Sequence, residues 1–220
     1  MLNFGRRRVV EVESFLEKFC KMRKMTKESM TSCQPFVCSK EPDINKFFHE
    51  EYLDYENQLL GKSYCFVKRD GQNVVAAFTV ANSSVRVDNM PNPKRNQLNR
   101  HIPFSKQRSQ YPAVLLAQLA VFDGFGGNEI GKEVVDFIKS WFINPLNKTG
   151  CRYLVVDAIN TPKVLDFYRN NGFEYIFASD EEEMQYMSRS IKVDNGTVFR
   201  KTRLMVYDLM QLKVNLQVNK

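Results

Sequence analysis

The stretch with the densest chemical content runs from Tyr111 to Gly131, YPAVLLAQLAVFDGFGGNEIG. An apolar run, Val114 to Phe122, leads into glycines at positions 124, 126, 127 and 131 and then into an amphipathic segment. A strand that delivers a Gly-rich turn to a helix N-terminus makes an anion site, because the first N–H groups of a helix lack intrahelical partners and the macrodipole is positive there. Two common phosphate loops fit it badly. The dinucleotide pattern GxGxxG fails, since Gly124 and Gly126 are followed by Glu129 where the third glycine belongs. The nucleoside-triphosphate pattern GxxxxGK comes closer through Gly126, Gly131 and Lys132, with LVVD ending at Asp157 as its acidic strand. Glu133, however, takes the place of the hydroxyl that would hold magnesium, and a carboxylate beside phosphates repels them unless a metal intervenes.

Metal and disulfide chemistry have little to work with. Cys20, Cys33, Cys38, Cys65 and Cys151 show no CxxC spacing, and His49 and His101 are the only histidines, so reduced thiols and no metal site are expected. The chain carries 32 Lys and Arg against 25 Asp and Glu, a net charge of +7. No acidic residue stands between Asp88 and Asp123, while Lys94, Arg95, Arg100, Lys106 and Arg108 do. Such a zone suits a phosphorylated ligand, an RNA backbone or simply a solvated loop. The N-terminus, MLNFGRRRVV, has no apolar leader, and no run is long enough to span a bilayer, so a cytoplasmic protein without membrane partners is expected.

The elements that must position this chemistry follow from periodicity. Residues 1–30 form a basic lead-in expected to be helical, with Val9, Val12, Phe15, Leu16 and Phe19 on one stripe. Residues 31–220 form a single domain. Gln34 to Cys38 reads as a short strand, and Pro42 opens a helix that Gly61 caps after Leu60. Tyr64–Lys68 and Val74–Val80 are strands joined around Asp70-Gly71. Residues 82–110 form a long polar, basic excursion of a length that is usually functional or disordered. Past the Gly loop, Ile130, Val134, Val135, Ile138, Trp141 and Phe142 mark a helix with one buried face. Tyr153–Val156 is a central strand, Thr161-Pro162 starts a helix that ends at Asn171-Gly172, and Phe173–Phe177 and Leu204–Leu209 are further strands. The order predicts an α/β class fold with a mixed sheet and helices on both faces.

LAVFDGFGGNEIGKEVV followed by NTPKVLDFYRNNGFEYI resembles the GNAT superfamily of N-acetyltransferases. That family has a strand ending like LAV, a loop of the form Q/R-x-x-G-x-G/A, and a helix with LY or FY shortly before GF; FYRNNGF at 167–173 has this spacing. The lead-in NRHIPFSKQRSQYPAV is similar to what precedes the strand in a group of bacterial members, and the likeness covers roughly residues 34–210. It implies a GNAT-like fold, with a mostly antiparallel twisted sheet containing one parallel pair.

The resemblance further implies acetyl-CoA as co-substrate. Backbone groups of Leu119, Ala120 and Val121 would meet the pantetheine arm and the oxyanion, and the loop Gly126, Gly127, Asn128, Glu129, Ile130 and Gly131 with Lys132 would face the pyrophosphate. Tyr168 matches the tyrosine that protonates the departing thiolate; its other reading is a half-buried aromatic on an amphipathic helix. Asp157 and Glu174 are conceivable bases, as is a water, and Glu181, Glu182 and Glu183 could attract a cationic amine or form a solvated surface. The sequence departs from the family at Gly126, which replaces Gln or Arg, at Glu129, which replaces the first glycine of GxG, and at Thr161, where Asn is frequent. Expected partners are an amine acceptor, either a small molecule, a protein or charged tRNA, and a second copy of the chain. Toxins of toxin–antitoxin pairs in this family acetylate charged tRNA, although Gln118 stands where they tend to have Arg. The alternatives are a non-catalytic acyl-CoA- or RNA-binding module and a degenerate nucleotide hydrolase.

Overall fold

Ser14 starts the described chain as the N-cap of helix α1 (Phe15–Phe19), its Oγ accepting the Glu17 N–H at 3.2 Å. Strand β1 (Cys20–Lys24) follows at once, so the lead-in is only partly helical. Its residues pair antiparallel with 64–68 at a sheet edge. Ladder hydrogen bonds outweigh a 3.6-residue stripe that rests on few apolar positions. A computed structural model of the chain describes residues 14–31, 33, 37–88, 90–126, 129–187, 191–194 and 197–218. Val9 and Val12 therefore lie outside the described residues, as do residues 34–36 of the expected short strand, and Val37 and Cys38 are not in a strand.

Helix α2 (Lys27–Thr31) leads to α3 (Pro42–Lys46), which continues through a π turn (Phe47–Glu51) into α4 (Tyr52–Asn57). The left-handed residue that ends it is Leu59, with φ of 58°, and not Gly61. Leu60 N–H returns to Tyr55 O and Leu59 N–H to Glu56 O, both at 2.9 Å. Gly61 is needed for a different reason: a Cβ there would stand 3.1 Å from Thr79 Cγ2 and 3.2 Å from Val80 O.

Strands β2 (Lys62–Lys68) and β3 (Val74–Arg86) form the expected hairpin, with Gly71 at a φ of 77°. The described residues of the excursion form regular elements. Strand β3 runs on to Arg86, helix α5 (Asn92–Asn99) follows, and strand β4 (Gln110–Val121) begins at its end. Two hydroxyls fasten α5: Tyr153 donates to Leu98 O at 2.9 Å and Tyr111 to Asn99 Oδ1 at 2.6 Å. The remaining elements are α6 (Ile130–Ile143), β5 (Tyr153–Ile159), α7 (Pro162–Asn170), β6 (Glu174–Tyr175), α8 (Asp180–Met187), β7 (Ile191–Asp194), β8 (Thr197–Arg200), β9 (Thr202–Asp208) and α9 (Leu209–Val218). Thr161 occupies the N-cap of α7 without a side-chain cap bond.

Seven strands make one sheet in the order β1-β2-β3-β4-β5-β9-β6, and β7-β8 form a separate ribbon. Pairing is antiparallel everywhere except between β4 and β5. Helix α6 covers one face, burying Ile130, Val134, Val135 and Ile138 against Phe78, Leu116 and Leu154. Each such side chain contributes about 1.5–3 kcal/mol by leaving water. The other face carries Phe47, Phe48 and Tyr52 of the π turn and α4 at one end, and Leu98 of α5 with Ile176 and Phe177 at the other. Among the described residues no helix is long and apolar enough to cross a membrane.

The acidic run is not a solvated surface. Glu183 is fully buried: its Oε2 accepts Arg203 Nε–H at 2.8 Å and its Oε1 accepts the Leu204 N–H at 2.9 Å. Arg203 also pairs with Asp180 Oδ1 at 2.7 Å and donates to Phe177 O at 3.0 Å, and Glu182 Oε2 accepts the Ala178 N–H at 2.6 Å. Only Glu181 of the three is exposed. This network fixes α8 and the 176–178 segment to β9. Glu183→Ala leaves Arg203 partly uncompensated, so a loss of about 3–5 kcal/mol is expected, read as a lower urea midpoint at unchanged slope.

Candidate active site

Strands β4 and β5 run side by side only over Ala113–Leu115 and Tyr153–Val155. Beyond Leu115, β4 stays paired with β3 through Val121, whereas β5 pairs with β9 over Tyr153 to Ile159. The two strands part, and the outer backbone edge of 116–121 has no strand partner among the described residues. A bulge lies at the parting: Thr79 faces Gln118 and Val80 faces Leu116, leaving Ala117 as the extra residue. It inverts the alternation. Val114 and Leu116 face α6 before it, Leu119 and Val121 pack on that side after it, and Ala120 joins Phe122 on the opposite face. An open edge of N–H and C=O groups is a template for an extended ligand.

Strand β4 ends in a 3₁₀ turn (Asp123–Phe125) and the Gly loop. Asp123 ties this turn to the preceding layer: its N–H donates to Val37 O at 3.0 Å and its Oδ2 accepts the Ser39 N–H at 3.0 Å. The Ser39 hydroxyl and amide hold the Asp123 carboxyl below the usual range. Gly127 and Asn128 lie outside the described residues. Glu129, at the N-cap of α6, adopts φ of 54°, a left-handed conformation that glycine takes without cost and that burdens other residues by about 1–2 kcal/mol. Its side chain is 77% exposed and stands 3.8 Å from Lys132 Nζ. The carboxylate is thus turned outward, toward a cation and water. Ile130 is buried, and Gly131 is held against the α7 aromatic, where a Cβ would come within 3.2 Å of Phe167 Cε2.

Glu133 has a structural employment that the triphosphate-loop pattern could not reveal. Its two oxygens accept the N–H groups of Phe15 and Leu16, at 3.0 and 2.8 Å, and so cap the N-terminus of α1 from a distant helix. Phe15 packs near Phe125 of the turn, with centroids 6.4 Å apart.

Tyr168 lies on α7, partly buried, between Phe167 and Phe173 in edge-on contacts of 5.1 and 5.3 Å. Desolvation pushes its pKa up to about 12, so the phenol is protonated at any working pH. Two cavities flank the parted strands. One, of about 380 Å³, is lined by Leu119, Ala120, Val121, Gly126, Cys38 and Lys163. It joins the predicted Leu119, Ala120, Val121 and Gly126 to Cys38, Lys40, Glu41, Ile44, Asp123 and Lys163, whereas Glu129, Ile130, Gly131 and Lys132 do not line it. Lys163 was legible only as the residue after the N1 proline of α7; nothing in its spacing says that this helix end meets Gly126. The other cavity, of about 620 Å³, opens on the sheet face away from α6, with Leu115, Val155 and Asp157 in its wall. Glu174, the other carboxylate considered as a base, instead accepts from Gln97 Nε2 at 3.0 Å on α5 and does not line it. Gly131→Ala forces Phe167 to shift and is expected to cost about 1–3 kcal/mol in chemical denaturation.

No protein-family model and no curated protein sequence matches the chain. Solved structures do. A tyrosine-to-phenylalanine variant of KacT superposes with a TM-score of 0.62 at 16% identity, covering 90% of this chain and 99% of its own. AtaT complexed with acetyl-methionyl-tRNAfMet gives 0.61 at 15%, covering 90% and 99%. AtaTR bound with AcCoA gives 0.57 at 16%, covering 90% and 98%. What is shared at these identities is the architecture: an open mixed sheet with one parallel pair between helical layers, which is the GNAT-like fold.

Proposed function

We propose that the chain is an acetyl-CoA-dependent N-acetyltransferase that moves an acetyl group directly to an amine. The observation that carries this reading is the open backbone edge of β4, which ends at the Gly loop and borders a cavity. Leu119 and Val121 offer backbone pairs to a pantetheine arm, and the amides of Ile130 and Gly131 at the start of α6, with Lys132, offer donors to a pyrophosphate. Lys40 and Lys163 line the adjoining cavity, together with the carboxylates Glu41 and Asp123. The outward carboxylate of Glu129 lies in solvent, where screening weakens its repulsion of an anion. The AcCoA named with AtaTR, a neighbour of the same fold, supports the choice of ligand.

The chemistry needs a free amine, an oxyanion donor and a proton partner for the leaving sulfur. A backbone N–H near Ala120–Phe122 meets the oxyanion. Tyr168 donates to the sulfur. Its pKa of about 12 lies about three units above that of an ordinary thiol, so it acts as a hydrogen-bond donor to the thiolate more than as a full proton source.

A second reading places the acceptor amine on charged tRNA. It is motivated by the acid-free zone between Asp88 and Asp123, by Phe104, which is 75% exposed within it, and by the acetyl-methionyl-tRNAfMet named with AtaT. A charged-tRNA acetylation assay decides it, no transfer counting against.

Calorimetric titration with acetyl-CoA is expected to show micromolar binding, and no binding at millimolar ligand overturns the proposal. Tyr168→Phe is expected to lower kcat about 100-fold or more with the acetyl-CoA Kd unchanged. Because Tyr168 stays protonated until pH approaches about 12, the rate should show no alkaline decline below pH 10; a decline between pH 8 and 9 assigns the acid to another group. Glu129→Gly is expected to tighten acetyl-CoA binding several-fold, most clearly at low ionic strength.

A further inference from the structure

We infer that Lys139 is a positioning residue for acetyl transfer: it fixes helix α7 against α6 and thereby sets where the Tyr168 hydroxyl stands. The inference rests on the acetyltransferase reading and adds a residue to it. Helix α6 begins at the Gly loop and α7 carries Tyr168. The placement of one helix on the other therefore sets the distance from the phenol to a thioester held along the loop.

Lys139 is buried, an uncommon place for an ammonium group. Its Nζ donates to Asn171 O at 2.8 Å and to Asp136 Oδ1 at 3.1 Å, and it stands 4.4 Å from the centre of the Tyr207 ring. Asn171 closes the C-terminal end of α7, where a cation meets the negative end of the helix dipole. From Asn171 the bonds run back to the acid. Its side-chain amide donates to Phe167 O at 2.8 Å, and its backbone N–H to Phe167 O and Tyr168 O, both at 3.1 Å. Phe173 N–H also donates to Tyr168 O, at 3.0 Å. Gly172 makes this return possible: its φ is 78°, and a Cβ on it would stand 3.1 Å from Tyr207 Cε2.

Two contacts with α6 thus bracket Tyr168 along α7. On one side Phe167 lies against Gly131, and on the other Asn171 is bound by Lys139. Packing alone would not fix this register. Apolar contact is non-directional and tolerates a small slide or rotation of one helix on another, whereas a buried ammonium must meet its one carbonyl. A methionine at 139, beside Val135 and Ile138, would fill the space without that constraint. The constraint matters for rate, since an error of about 1 Å in a reacting group can cost about 100-fold.

The test uses the full chain, offers 2-phenylethylamine, spermidine and charged tRNA as acceptors, and reads thiol release with the one turned over fastest. Lys139→Met is expected to lower kcat about 10-fold or more while the acetyl-CoA Kd stays within about two-fold. In a Tyr168→Phe background the same substitution is expected to change kcat by less than about two-fold, because the group it positions is gone. Equal losses in the two backgrounds mean that Lys139 only supports the fold, and they overturn the inference. So does an unchanged kcat in Lys139→Met. Should that variant not fold, Lys139→Gln, which keeps a neutral donor, enters the same cycle. A readout without turnover stands beside it. In the chain labelled with 3-fluorotyrosine, the Tyr168 fluorine resonance is identified by its absence from Tyr168→Phe. It is expected to move by more than its line width in Lys139→Met or Lys139→Gln, and an unmoved resonance overturns the inference. If acetyl-CoA does not bind, the acetyltransferase reading fails. In that case, or if none of the three acceptors is acetylated, the fluorine resonance decides whether Lys139 fixes Tyr168.

Discussion

The structure depends on one geometric fact, that β4 and β5 are neighbours for three residues and then separate. Backbone donors and acceptors in a protein interior must find partners. Strand β5 finds them along β9, and β4 keeps those of β3, so the edge facing the gap is satisfied only from outside the sheet. The bulge at Ala117 turns this gap into a site. By shifting the parity of β4 it leaves Leu119 and Val121 on the α6 side and Ala120 on the other, so one strand serves both layers.

Carboxylates illustrate how poorly residue type alone predicts role. Glu129 looked like an intruder in an anion site, and its left-handed backbone carries the side chain into solvent. Glu133 looked like a failed magnesium position, and it caps a helix more than a hundred residues away in sequence. Glu183 looked like surface, and it is the most deeply buried charge of the ion cluster under β9. For Glu133 and Glu183 the deciding partner is distant along the chain, and for Glu129 it is a backbone angle, so spacing could find none of them.

What the sequence did reveal is local and periodic. The stripe of α6, the hairpin at Gly71, the Pro162 start and the Gly172 end of α7, and the order of the central strands could all be read from 3.6- and 2-residue patterns and turn chemistry. What escaped it lacks such a signature. Strand β1 has one buried residue in five, so no alternation marks it. Helix α5 is almost wholly polar and is held by tyrosine hydroxyls from β4 and β5. The bulge lies inside a continuous apolar run, where nothing distinguishes Ala117 from its neighbours. The strand and loop residues of the site were nameable from the family motif, whereas Lys163 required the folded arrangement.

The Glu133 clamp on α1 also bears on how the chain is made. Phe15 and Leu16 leave the ribosome first, but the carboxylate that secures their helix is encoded 118 and 117 residues later. At about 5–20 residues per second, that interval is on the order of ten seconds. Throughout it α1 has only its Ser14 cap, and the N–H groups of Phe15 and Leu16 lack the carboxylate. Strand β1 is spliced directly to that helix, so the outermost edge of the sheet is closed by a segment whose anchor arrives late. Until then the segment is held by the β1–β2 ladder and by Arg69, which donates to Glu17 O and Lys18 O.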